Sequence, residues 1–141
     1  MRRRKLDTIA KHWWATTYDG HVYSCYDDRR IDELARRPHT LIPLLRAAVR
    51  TVRGPFGLSY IGTSFVESMI MHFEFEKAPD KTIEILAATG LRGDTLTEIL
   101  SGVWPEMLRG IGAEERLRGL VSDRQRSWLV DGTRHIGPPL L

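Results

Sequence analysis

Apolar residues at helical spacing run through this chain and leave little room for a sheet. Leu41, Leu44, Leu45, Ala48, Val49 and Val52 recur at i, i+3, i+4, i+7, i+8 and i+11, which lines one face of an α-helix. Thr40 can cap its start, and Pro43 is tolerated in a first turn whose N–H groups have no intrahelical partner. Gly54-Pro55 ends it. The pattern returns in Leu6, Ile9, Ala10 and Trp13. It returns in Ile83, Leu86 and Ala87 behind Pro79-Asp80, and in Leu96, Ile99, Leu100 and Val103 behind a Thr95/Glu98 capping box. Ile31, Leu34 and Ala35 mark a short helix that stops before Pro38. Leu117, Leu120 and Val121 mark another behind Gly112, and Ser122 to Trp128 add a last turn or two. The break is Asp19 to Tyr26, DGHVYSCY, which reads as a loop with extended propensity at Val22, Tyr23, Cys25 and Tyr26. The expected fold is all-α: six or seven short helices in antiparallel hairpins, either a HEAT-like array or a compact bundle. Residues 1–130 form one helical domain, and the Gly- and Pro-bearing stretch 131–141 is an irregular tail.

The chain has 141 residues and 42% hydrophobic composition, enough for one core. Its single cysteine, Cys25, cannot close an internal disulfide, which points to a reducing compartment, the cytoplasm. The start MRRRKLDTIAKHWW is charged like a signal peptide, but Asp7, Lys11 and His12 interrupt the apolar run that must follow. No stretch approaches the ~20 apolar residues of a membrane span. The net charge of +3 hides an uneven layout: +6 over residues 1–53, −5 over 54–108 and +2 over 109–141. Two surfaces of opposite sign are expected.

Residues 60–67, YIGTSFVE, pose the sharpest question. Ser64 and Glu67 satisfy S-x-x-E ahead of Phe65, Val66, Met69, Ile70 and Phe73, the signature of a capped helix start, with Gly62 letting the chain turn. The alternative is an anion-binding helix N-terminus with Glu67 as a catalytic acid or base. The glycines and lysine of a phosphate loop are absent, which favours the cap. YIGTSFVESMI, then Ile83-Glu84 and Ala87, then Leu100-Ser101-Gly102-Val103-Trp104, resembles an uncharacterised bacterial family, a domain of unknown function with an apolar-Gly…Leu-Glu turn and a downstream Gly-Val-Trp. Asp32, Leu34, Arg37-Pro38 and Ile42 fit its lead-in, so the likeness spans residues 6–110. It implies a small helical domain and brings no activity and no catalytic residues.

Other groupings are weighed against ordinary surface roles. His72 and Glu76 are i, i+4 neighbours, but a metal needs a third ligand, so a solvated acidic face is expected. His21 and Cys25 have no second cysteine beside them, so a partly buried loop cysteine is expected. No cofactor or metal is expected. Trp13 and Trp14 point about 100° apart on a helix, so one should enter the core while Trp14 serves as a contact anchor. Trp104 is expected in the core. Two binding surfaces follow. Acidic residues Glu67, Glu74, Glu76 and Glu84, with Trp14 or Tyr23 of the 18–26 loop as anchors, would hold a basic protein, as in an immunity- or antitoxin-like module. Alternatively, Arg46, Arg50 and Arg53 at i, i+4, i+7 would hold nucleic-acid phosphates in a regulator. A third possibility is an enzyme using Glu67 and His72, though no complete catalytic constellation is visible.

Overall fold

The computed structural model describes residues 2–17, 33 and 37–132. Among these it contains eight helices, one isolated bridge between Arg118 and Val121, and no strand. The fold is all-α. The expected helix at 31–35, the loop 18–26 and the residues from 133 onward lie outside the described residues.

Helix α1, Arg3–Thr17, packs along α2, Pro38–Thr51. The α2 stripe buries Leu41, Leu44, Leu45 and Ala48, as its spacing predicts. Its start is earlier than expected. Pro38 opens the helix, because its fixed φ suits the first turn and its missing N–H costs nothing there. Thr40 is therefore inside the helix and buried, and Pro43 is interior, where it offers no N–H to the His39 carbonyl. Contrary to expectation, Trp13 and Trp14 are both buried. The next long helix meets each with a separate aromatic ring: Phe65 lies 4.9 Å from Trp13, and Tyr60 lies 6.0 Å from Trp14.

That helix, α3, runs over 57–75 as an α segment Gly57–Ile61, a π turn Gly62–Val66 and an α segment Glu67–Phe75. The Glu67 N–H donates to the Gly62 carbonyl, the i→i+5 bond of a π turn. YIGTSFVE is thus helix interior and not a helix start. Ser64 and Glu67 form no capping box, since the residues before Ser64 are already helical and no helix starts there. Nor does Gly62 turn the chain: its φ is −57°. Its role is close approach. A Cβ at Gly62 would meet the Ile99 carbonyl oxygen, and one at Gly102 would meet the Ser59 carbonyl oxygen. The Thr63 hydroxyl donates to the Gly102 carbonyl at 2.8 Å across the same contact.

The remaining helices are α4 Asp80–Ala88, α5 Gly93–Leu100, α6 Pro105–Gly110, α7 Ala113–Arg116 and α8 Asp123–Asp131. α5 starts at Gly93, so Thr95 is already helical and the Thr95/Glu98 box does not form. The stripe Leu117, Leu120, Val121 is not helical. α7 is a single turn, and Gly119 at φ +81° takes the chain through turns that still bury Leu117 and Val121. Among the described residues, a capping box forms at Ser122 and Gln125, each side chain bonded to the other's backbone N–H. It starts α8, and Gly132 at φ +80° ends it.

Candidate interaction site

Glu67 sits where α3 crosses the junction of α5 and α6. Only 6% of it is exposed, so it leaves the list of partner-binding residues. Its Oε1 accepts the Trp104 backbone N–H at 3.2 Å. Burial pushes its carboxyl up to about 7, and the Trp104 N–H opposes part of that shift by favouring the charged form. Trp104 is the residue before α6, and this bond turns its backbone inward while its ring stays 51% exposed. The core position expected for Trp104 is therefore corrected, and so is the surface position expected for Trp14.

The other carboxylates of the acidic block separate into paired and unpaired groups. Glu76 lies 3.3 Å from His72 Nε2, Glu106 lies 3.7 Å from Arg109, and Asp80 pairs with Arg116. Asp94 accepts from the Gln125 amide at 2.6 Å. Among the described residues, Glu74, Glu84 and Glu98 are exposed and have no cationic partner. Phe75 stands between Glu74 and Glu76 and is 87% exposed; Met71, one turn earlier, is 47% exposed. The signal for this pair was present in the sequence. Phe65, Met69, Ile70 and Phe73 define the buried face of α3, and Met71 and Phe75 at i, i+4 fall off it.

α3 and α6 also flank a cavity of about 540 Å³. Ile70, Pro79, Met107 and Ile111 give it apolar walls, and Glu74, Glu106 and Lys77 give it charged ones. Lys77 is the one described non-glycine residue in the left-handed region, at φ +57°. It ends α3 in a Schellman arrangement, with the Ala78 N–H on the Phe73 carbonyl at 2.8 Å and the Lys77 N–H on the Glu74 carbonyl at 3.0 Å. An apolar recess with carboxylates on its rim suits an apolar side chain carried between cationic ones.

The basic stripe is mostly committed elsewhere. Arg46 donates to the Thr89 carbonyl at 2.8 Å and the Ala88 carbonyl at 3.2 Å, closing the C-terminal end of α4. Arg50 pairs with Asp7 at 2.7 Å and joins α2 to α1. All three are exposed, and of the three only Arg53 has neither a carboxylate nor a carbonyl partner among the described residues. A continuous three-arginine ladder for nucleic acid is not what these side chains form. Compared with known proteins, the chain matches no family model, no curated protein and no solved structure. The site therefore rests on its own geometry.

Among the described residues, no three His, Cys, Asp or Glu side chains gather as metal ligands, so His72 and Glu76 stand as a pair. Tyr23, His21 and Cys25 lie outside the described residues. No described helix is long and apolar enough to cross a membrane.

Proposed function

We propose that this protein is a non-enzymatic protein–protein interaction module, of the immunity- or antitoxin-like kind, acting in the cytoplasm. It docks a basic partner on the acidic end of α3 and its recess against α6. The observation that carries this is Phe75, 87% exposed and next in sequence to Glu74, which lines the apolar recess. Exposed aromatic side chains at the centre of a charged rim are where binding energy concentrates, and rim charges set association rate and partner choice. Glu74, Glu76 and Glu84 remain the partner-binding carboxylates of this surface, while Glu67 and Trp14 are buried. Membership in the helical family that residues 60–70 and 100–104 resemble is part of this proposal, and it assigns no activity. The test is isolation of the tagged protein from its native cells at moderate salt, followed by affinity measurement with the recovered partner. A stoichiometric basic protein should lose at least tenfold in affinity to Phe75→Ala. It should dissociate faster from the Glu74→Lys/Glu76→Lys double variant. An affinity untouched by both variants would remove this surface from consideration.

A further inference from the structure

A second cavity, of about 370 Å³, lies between α1 and α2 on a different part of the molecule from the acidic recess. We propose that it binds a phosphate group. Lys11, Arg50 and Arg53 line it, and Asp7 is the one carboxylate among its lining residues. That carboxylate is already met: Arg50 Nη2 approaches it at 2.7 Å and Arg3 Nε at 3.9 Å, and the Arg50 hydrogen bond holds its pKa below the ordinary carboxylate range. Lys11 and Arg53 are exposed and form no ion pair among the described residues, although Lys11 adds to the field that lowers the Asp7 pKa. The cavity thus carries two positive charges beyond its own compensation, which a phosphate dianion matches. Arg offers a planar fork and Lys a compact charge, the two groups that most often hold phosphate. Trp14, which is buried, also lines the cavity. The volume lies in the range of small-molecule sites. The phosphate can belong to a free phosphomonoester or to a nucleic-acid strand, and the experiment separates the two.

The full chain is titrated calorimetrically with inorganic phosphate, with a nucleoside monophosphate and with a single-stranded octanucleotide. The Lys11→Ala/Arg53→Ala variant replaces two exposed side chains and should melt at the native temperature. Arg118→Ala, exposed and remote in sequence, is the control. One site for phosphate and the monophosphate, weakened at least tenfold by the double variant and unaffected by the control, is the expected result for a free phosphomonoester. Binding of the octanucleotide alone, with affinity and salt dependence reduced by the double variant, would assign the phosphate to a strand. Absence of binding to all three probes, or binding that the double variant leaves unchanged, would overturn the proposal.

Discussion

Glu67 is a carboxyl held in the interior by one backbone donor, and its pH behaviour follows from that. Its ordinary pKa of 4.5 applies to the unfolded chain, whereas the folded chain holds it near 7. Between those values the folded state binds more protons than the unfolded state, so stability falls as pH rises through the window. The full shift corresponds to about 3 kcal/mol as an upper bound. Asp7 shifts the other way, but its effect lies below pH 3.8 and outside this window. Urea unfolding should therefore give a higher midpoint at pH 5 than at pH 8. Glu67→Gln, which keeps an oxygen for the Trp104 N–H, should flatten the difference and be the more stable protein at pH 8. A midpoint equally pH-dependent in the variant would remove Glu67 as the cause. Gly62 makes a second claim at this scale. Gly62→Ala places a methyl group against the Ile99 carbonyl, backbone on backbone, and should cost about 3 kcal/mol or more in the same assay. A loss under about 1 kcal/mol would mean that the crossing can open without strain.

At the scale of elements, the end of α3 is held in a conformation that its sequence does not favour. Lys77 occupies the left-handed position that glycine takes in most Schellman ends. Lys77→Gly should therefore raise stability by about 1 kcal/mol through relief of the Cβ contact. Unchanged or lowered stability would show that the lysine side chain offsets that strain. The start of α8 obeys its sequence, since Ser122 and Gln125 stand at capping-box spacing and form the box. Ser122→Ala should cost about 1 kcal/mol. Periodicity made the buried faces of α1, α2 and α5 legible, because side-chain direction within a helix is a local property. Boundaries were less legible. S-x-x-E at Ser64 has the same spacing as a true cap, and only the helical path through residues 57–61 shows that no helix begins there. The π turn had no sequence signal, since it widens one turn without changing which residues are apolar.

For the molecule as a whole, the charge split becomes two separate features. The basic half leaves Lys11, Arg50 and Arg53 around one cavity, and the acidic half leaves Glu74 unpaired at an apolar recess. Phe75→Ala should leave the unfolding midpoint within about 0.5 kcal/mol of the native value, because the ring is exposed, while weakening partner binding. A large loss of stability would show that Phe75 belongs to the fold. The sequence alone determined the all-α class, the buried stripes and the opposite charges of the two halves. Each of these depends on spacing or composition within a short stretch of chain. The tertiary structure alone decided that Glu67 and Trp14 lie inside while Trp104 lies half outside. It also decided that Arg46 and Arg50 bond to neighbouring helices. Those positions are set by partners distant in sequence: Trp104 for Glu67, Tyr60 for Trp14, Thr89 for Arg46 and Asp7 for Arg50. No local periodicity records such contacts, because burial of a polar group is decided by the donor or counter-charge that the fold brings to it.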